Sequence, residues 1–154
     1  MIELRREDPD GPVARALWAE YMARVRERAG PEFEPTERIF GTVDVFRGPK
    51  AAWLVLYEDG EPVACAGLRE LEPGVAEIKR MFVTPRARGR GHARRLLAAL
   101  EGLAREAGQR SMRLFTTDML PEAMALYASE GYTIRSTHPL GERAEYWLEK
   151  PLAS

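Results

Sequence analysis

Cysteine and histidine are scarce in this sequence. Its 154 residues include one cysteine, Cys65, and two histidines. A single cysteine excludes an internal disulfide and any metal site built on several thiolates. We therefore expect a reducing, cytoplasmic environment and no bound metal.

Long apolar runs are also missing. The longest covers only residues 51–57, whereas a membrane-spanning helix needs about 20 residues. The amino terminus reads Met-Ile-Glu-Leu-Arg-Arg and lacks the apolar core of a signal peptide. A membrane is therefore not an expected partner. The length fits one domain over residues 1–154, at about 150 residues per domain.

Net charge is small, at −1, but the two parts of the chain differ in sign. Residues 1–78 contain 10 basic and 16 acidic residues, and residues 79–154 contain 13 basic and 8 acidic ones. Seven of the basic residues lie within 79–95, and no acid occurs between Glu77 and Glu101. We expect an anionic ligand near this stretch.

The spacing of apolar residues predicts a mixed α+β fold. Strands are predicted at residues 2–6, 51–57, 62–71, 75–83, 112–116, 132–134 and 144–148. Helices are predicted between Asp10, as a cap, and Gly30, from 91 to 108, from 122 to 129, and briefly near 36–40. A loop is expected around Pro139 and Gly141. The Asp59-Gly60 pair and the turn at 71–74 join three strands as an antiparallel meander.

The segment between the third strand and the next helix is the most informative. Residues 83–93 read Val-Thr-Pro-Arg-Ala-Arg-Gly-Arg-Gly-His-Ala. The first turn of a helix has unpaired N–H groups that favour an anion. Gly89 and Gly91 have no side chain to keep a phosphate away from these amides, and Arg88 and Arg90 add positive charge. The segment therefore predicts a phosphate or pyrophosphate site. Neither a P-loop nor a complete dinucleotide fingerprint is present.

Residues 88–93 match the acetyl-CoA motif Arg/Gln-x-x-Gly-x-Gly/Ala, preceded by Val-x-Pro at 83–85. Residues 86–91 also fit the bare motif. Downstream, residues 114–117, 120–127 and 131–132 resemble a characteristic late strand–helix–strand unit. On these motifs, residues 50–134 resemble the GNAT superfamily of N-acetyltransferases. The resemblance implies a GNAT-type, mostly antiparallel, splayed sheet of six to seven strands flanked by helices. Leu120 departs from the pattern, because many members have Asn there.

The resemblance also implies a cosubstrate, acetyl-CoA, and an acetyl transfer to a primary amine of a small molecule, peptide or protein. The backbone of Met81, Phe82 and Val83 would bind the pantetheine arm, and an N–H near Phe82 or Val83 would polarise the thioester carbonyl. The pyrophosphate would be held by residues of the loop and first helical turn, namely Arg88, Gly89, Arg90, Gly91, His92, Ala93 and Arg94. The protein would be a monomer or homodimer.

Two residues are candidates for catalysis. The resemblance places Tyr127 where it would protonate the departing CoA thiolate; the alternative is an ordinary core tyrosine. Glu77, on the central strand, is the candidate general base. Its alternative is an ion pair with a neighbouring Arg or Lys. Glu70 and Glu72 are weaker candidates for the same role.

The remaining functional residue types receive no catalytic role. The backbone of His92 is expected to matter more than its ring, and His138 is placed in a late loop. Cys65 is expected to be a small buried residue. The acidic balance of residues 1–78 favours a cationic amine as acceptor. Five aromatic residues could line an acceptor pocket or belong to the core: Trp18, Tyr21, Phe33, Phe40 and Phe46.

Two other classes of function remain open from the sequence. The same fold could bind an acyl-CoA without catalysis, as a module or sensor. Alternatively, the arginine cluster could bind nucleic acid, but the small negative net charge and the lack of aromatic residues among the arginines disfavour this.

Overall fold

The computed structural model describes residues 1–117, 121–140 and 143–152. It contains a seven-stranded sheet flanked by helices. The strands are β1 (Ile2–Arg6), β2 (Ala52–Glu58), β3 (Glu61–Glu72), β4 (Val75–Val83), β5 (Ser111–Thr117), β6 (Thr133–Leu140) and β7 (Arg143–Pro151). The helices are α1 (Pro12–Ala29), α2 (Glu37–Phe40), α3 (His92–Glu106) and α4 (Pro121–Ser129). The predicted α+β class and strand number are confirmed.

The strand order is β1-β2-β3-β4-β5-β7-β6, and the described pairs are antiparallel except for β4 with β5. These two parallel strands are paired from Val75 with Ser111 to Ile78 with Leu114. Beyond that point β4 continues to Val83 and β5 to Thr117 without further pairing between them in the described residues. The sheet is therefore splayed at its centre, as predicted.

A β-bulge in β4 lies at the start of this splay. Two residue steps on β3, from Cys65 to Gly67, face three steps on β4, from Phe82 to Lys79. Arg80 takes up the extra residue with φ of 58°, in the left-handed region. Its guanidinium donates to the carbonyl oxygens of Phe40 at 3.0 Å and Gly41 at 2.7 Å. The bulge is thus held by contacts with the last residue of α2 and the glycine that follows it.

The sheet is covered by helices on both faces. On one face, Leu54 and Leu56 of β2 belong to the same buried cluster as Leu96 and Leu100 of α3. On the other face, Val55 of β2 is buried in a second cluster with residues of α1. Because β2 is covered on both faces, its sequence is a continuous apolar run rather than an alternating one.

Two details of the predicted elements are wrong. Asp10 does not cap α1; Gly11 is the cap residue, and the Asp10 carboxylate instead accepts from Arg15 at 3.1 Å. Pro139 and His138 lie in β6 rather than in a loop. Since β6 is an edge strand, the N–H that proline lacks is not required by a second neighbouring strand.

In the described part of the chain, no helix is long and apolar enough to cross a membrane.

Candidate active site

A cavity of about 290 Å³ opens beside the splayed end of β4. Its walls come from α1, β4, the loop between β4 and α3, the first turn of α3, and α4. The cavity therefore lies where the sequence predicts the anion site. The lining residues are Tyr21, Arg24, Met81, Phe82, Val83, Ala87, Arg88, Gly89, Gly91, His92, Ala93, Arg94, Glu122, Ala123, Leu126 and Tyr127.

Nine of the ten residues predicted to bind the cofactor line this cavity: Met81, Phe82, Val83, Arg88, Gly89, Gly91, His92, Ala93 and Arg94. The tenth, Arg90, does not, because its guanidinium forms an ion pair with Glu58 at the end of β2. Whether these residues bind a cofactor stays a prediction.

The loop offers backbone N–H groups to the cavity. Gly91 caps α3 with φ of 79°, without help from a side chain. The N–H of Arg95 donates to the Gly91 carbonyl at 3.1 Å, which closes the first turn of the helix. The N–H groups just before Arg95 therefore have no partner within the helix. At Gly89, which also has φ of 79°, a Cβ would project into open space. Gly89 thus leaves room for a ligand next to these amides, whereas a Cβ at Gly91 would lie 3.5 Å from Arg95 Nη1.

The arginine side chains of the loop are engaged by the protein itself. Arg88 donates through Nε to the Val83 carbonyl at 3.1 Å. Arg94 donates to Ser129 Oγ at 3.0 Å and pairs with Glu130 at the end of α4. Together with the Arg90–Glu58 pair, these contacts fix the loop to β2, β4 and α4. Anion binding would therefore depend on the backbone amides and on Arg88, whose terminal Nη1 lies 3.9 Å from Glu122 Oε1, with less contribution from Arg90 and Arg94 than the sequence predicts.

The ring of His92 has a structural position. It is 2% exposed, and its Nε2 lies 2.9 Å from Glu58 Oε2. Its Nδ1 lies 3.1 Å from Arg95 Nη1. Because an arginine can only donate, Nδ1 accepts and Nε2 carries the proton toward Glu58. This ring holds the first turn of α3 against the end of β2.

Tyr127 of α4 faces the splayed part of β4. Its hydroxyl donates to Met81 Sδ at 3.7 Å, and the residue is 7% exposed. Burial raises the pKa of Tyr127 to about 12, so the hydroxyl keeps its proton at neutral pH. A protonated hydroxyl at the cavity wall is able to donate a proton to a ligand there.

Glu77, the candidate general base, does not lie at the cavity. It is fully buried and is not among the lining residues of the cavity. One carboxylate oxygen accepts from Arg69 Nε at 2.8 Å and lies 3.6 Å from Lys79 Nζ. This is the ion pair that the alternative interpretation predicts. The base role of Glu77 stays a prediction.

A second, narrow cleft of about 50 Å³ lies between β4 and β5 where they diverge. Four residues line both spaces: Tyr21, Met81, Ala123 and Tyr127. The cleft is also lined by Phe40, Lys79 and Arg80, and among the described lining residues none is acidic. The acids of residues 1–78 therefore do not line either space in the described structure, and the predicted preference for a cationic acceptor has no support there.

Two residues of the cavity wall carry no signal in the sequence, and a third, Tyr21, is one of the aromatic residues named as pocket or core candidates. Arg24 of α1 and Glu122 of α4 both line it, and Tyr21 stacks on Phe82 at 5.1 Å between ring centroids. The apolar spacing places Tyr21 on the inner face of α1, but no local pattern connects α1 to the loop. Leu120 and its departure from the motif lie outside the described residues.

Among the described residues, no group of three or more His, Cys, Asp or Glu side chains is arranged to hold a metal ion. Cys65 is 2% exposed, and burial raises its pKa to about 12. A thiol of this kind is a structural side chain rather than a nucleophile.

The model of the acetyltransferase (GNAT) family matches residues 12–132, which include the loop, β4 and α4. The chain belongs to the GNAT acetyltransferase family. It is 37% identical over 107 residues to the IAA acetyltransferase of Azospirillum brasilense, covering 68% of this chain and 70% of that protein.

Solved structures of GNAT proteins share the fold. A Klebsiella pneumoniae protein assigned as an acyl-CoA N-acyltransferase has a TM-score of 0.77 and 28% identity, covering 99% of both chains. A Bacillus anthracis protein assigned as a streptothricin acetyltransferase was solved in complex with acetyl coenzyme A. It has a TM-score of 0.66 and 16% identity, covering 70% of this chain and 66% of that chain. That likeness shows the fold alone.

Proposed function

We propose that this GNAT protein transfers an acetyl group from acetyl-CoA to a primary amine by direct attack in a ternary complex. The observation that carries the proposal is the position of Tyr127. Its buried hydroxyl lies at the boundary between the cavity beside the loop and the narrow cleft between β4 and β5. A cofactor and an acceptor entering from these two sides would meet beside a proton donor.

The residues of the cavity fit an acyl-CoA. The unpaired N–H groups before Arg95 and the left-handed glycines suit a diphosphate. Beyond Ile78, the β4 edge facing β5 has no strand partner there in the described residues, and its backbone can pair with the amides of a pantetheine arm. Met81, Phe82 and Val83 supply that edge, as the sequence predicts. A bound acetyl-CoA would supply the activated acyl carbonyl.

In the proposed reaction, the amine nitrogen forms a bond to the acetyl carbon and the carbon–sulfur bond breaks. A backbone N–H near Phe82 or Val83 would stabilise the charge that develops on the carbonyl oxygen. Tyr127 would give its proton to the departing sulfur. Whether Glu77 takes the proton of the amine is part of the proposal and has its own experiment below.

The narrow cleft suggests how the acceptor nitrogen stays reactive. Lys79 and Arg80 line it together with the rings of Tyr21 and Phe40. Nearby cations disfavour an ammonium ion and so favour the neutral amine that attacks. The aromatic rings suit an apolar or aromatic group next to the amine.

Cofactor binding and turnover test the proposal separately. Isothermal titration with acetyl-CoA is expected to show binding, and no detectable binding at millimolar cofactor would overturn it. A thiol-release assay with a broad panel of small amines, amino-acid amides and peptides is expected to show turnover. Binding without release of CoA from any acceptor would favour the alternative, a non-catalytic acyl-CoA module or sensor.

A further inference from the structure

Glu122 is the one acidic residue among the described side chains that line the cavity. It lies in the first turn of α4, opposite α1 and beside the loop. A carboxylate in this position is unexpected, since the ligand proposed for the cavity is a polyanion. Its contacts with arginine side chains show how the protein accommodates it.

The Glu122 carboxylate connects two basic residues from different walls. Its Oε1 lies 3.2 Å from Arg28 Nη2 on α1 and 3.9 Å from Arg88 Nη1 on the loop. Its Oε2 also accepts from Arg28 Nη1 at 3.3 Å. Burial alone would raise the pKa of Glu122, but its own backbone N–H, Arg28 and Arg88 outweigh burial and lower it. The carboxylate is therefore charged at neutral pH.

The arginines around Glu122 are crowded. Burial lowers the pKa of Arg88, and the charges of Arg24 and Arg28 lower it further, while Glu122 opposes them. Arg24 lines the cavity, and its Nε is buried without a hydrogen-bond partner. Two cations thus flank the Glu122 carboxylate, and a third, Arg24, lines the same cavity while its Nη1 pairs with Glu27 at 3.3 Å. A second anion in the cavity would be attracted to Arg88.

We propose that Glu122 is an internal competitor of the cofactor diphosphate: its carboxylate lies against Arg88, and an acyl-CoA must displace it from that arginine. This inference rests on the proposed function, because it requires that the cavity binds CoA. Glu122 then lowers the affinity for CoA and acetyl-CoA alike. A weaker hold on CoA also favours release of the product after transfer.

The experiment is isothermal titration of CoA and of dephospho-CoA into wild type and Glu122→Gln. Glutamine keeps the size of the side chain and an oxygen for the α4 backbone N–H, but it removes the charge. We expect Glu122→Gln to bind both ligands about 3- to 10-fold more tightly at low salt, the scale for charges about 4 Å apart that are fully screened by water. Because the groups are partly exposed, the gain shrinks as salt is raised to about 0.5 M.

A charge-matched control is available on the same protein. Glu106→Gln makes the same change at the other end of α3, about 20 Å along the helix from the loop at 1.5 Å per residue. We expect it to leave the affinity for CoA within about 1.5-fold of wild type, given the screening of exposed charges at this distance. If both variants gained the same affinity for CoA, the effect would come from the change in net charge alone, and the proposal would be overturned.

The remaining outcomes are also decisive. Unchanged or weaker CoA binding by folded Glu122→Gln overturns the competitor role while leaving the proposed function intact. A gain with CoA but not with dephospho-CoA assigns the effect to the 3′-phosphate and overturns it as well. Absence of CoA binding in both wild type and variant removes the proposed function and this inference together.

A second variant serves if Glu122→Gln does not fold. Arg28→Gln removes the cation that offsets Glu122 from α1, and Arg28 does not line the cavity. We expect CoA affinity to fall about 3- to 10-fold at low salt, while Arg135→Gln, an exposed control on β6, leaves it unchanged. Equal affinities in the two arginine variants would overturn the proposal.

Discussion

The hydroxyl of Tyr127 lies 3.7 Å from the sulfur of Met81, so a side chain of α4 contacts the splayed part of β4. The contact sets the hydroxyl at the strand edge proposed to hold the thioester. It also makes the role of the hydroxyl testable, because removing it leaves the ring and its packing in place.

Replacement of Tyr127 by Phe should lower turnover about 10- to 1000-fold, the scale of one general acid or somewhat below. Affinity for acetyl-CoA should change much less. Steady-state kinetics with the purified, folded variant check this, under conditions where chemistry limits the rate. Turnover within about twofold of wild type would mean that Tyr127 is only a core residue, because loss of a general acid lowers turnover by more than this.

The pKa of Tyr127 adds a pH dependence. Because burial raises it from 10.0 to about 12, the hydroxyl remains a proton donor well above pH 10. The stability that this shift contributes is fully present below pH 10 and is lost as pH rises toward about 12. We expect no alkaline loss of turnover from this group between pH 8 and about 10. An alkaline limb near pH 10 that disappears in Tyr127→Phe would contradict the raised pKa.

Glu77→Gln separates the two roles considered for this carboxylate. Since Glu77 is fully buried against Arg69 and Lys79, we expect the free energy of unfolding to fall by about 3 kcal/mol, as when one partner of a buried ion pair is removed. Denaturant titration measures this. The control is Glu70→Gln. The Glu70 carboxylate is partly exposed and accepts hydrogen bonds from Lys50 and Gln109, so its replacement should lower the free energy of unfolding much less.

The base role of Glu77 is decided by the kinetics of the same variant. A general base contributes about 10²- to 10⁴-fold to turnover. If Glu77 acts only through its ion pair, folded Glu77→Gln at low temperature keeps turnover close to that of wild type. If the variant instead loses turnover, and its pH profile also lacks the acid limb of wild type, Glu77 is the base.

The sequence predicts the loop and its strand well because their signals are local. Gly89 and Gly91, a preceding Pro, and the apolar spacing of α3 occur within about one turn of the structure that they specify. The side-chain partners of the loop were not predictable. Glu58 lies 34 residues before His92, and Glu130 lies 36 residues after Arg94. Such pairs depend on how strands and helices pack, which no local spacing reveals.

The bulge and the last hairpin show two other limits. Arg80 adopts a left-handed conformation that arginine does not favour by itself; its contacts with Phe40 and Gly41 select it. Pro139 suggests a loop in isolation, but an edge strand accommodates it. In both places, the tertiary environment overrides the local preference of one residue.

Gly91→Glu should abolish detectable binding of acetyl-CoA while the fold remains. A Cβ at Gly91 would lie 3.5 Å from Arg95 Nη1, and the rest of the glutamate side chain would place a carboxylate near the loop amides, where it would repel a diphosphate. Because Gly91 has φ of 79°, any side chain there also costs about 1 kcal/mol of conformational strain. Gly91→Ala is the control for that strain and should retain more binding. Unchanged affinity of Gly91→Glu in isothermal titration would show that the diphosphate does not bind at these amides.

Gly67→Ala should be among the most destabilising small changes in the protein. Gly67 lies opposite Lys79 beside the bulge, and a Cβ added there would overlap the ring of Phe46, with the ring Cζ only 2.8 Å away. Phe46 is buried against Trp53, with 5.3 Å between ring centroids, so it has little room to move. We expect a loss of about 3 kcal/mol, at the upper end for overpacking.

Gly102→Ala is the matched control for Gly67→Ala. Its Cβ would meet nothing within 4 Å inside α3, and the change should stabilise the protein by about 0.5–1 kcal/mol. Denaturant titration of both variants measures the difference, and a loss below about 1 kcal/mol for Gly67→Ala would mean that the ring of Phe46 yields more easily than its packing indicates.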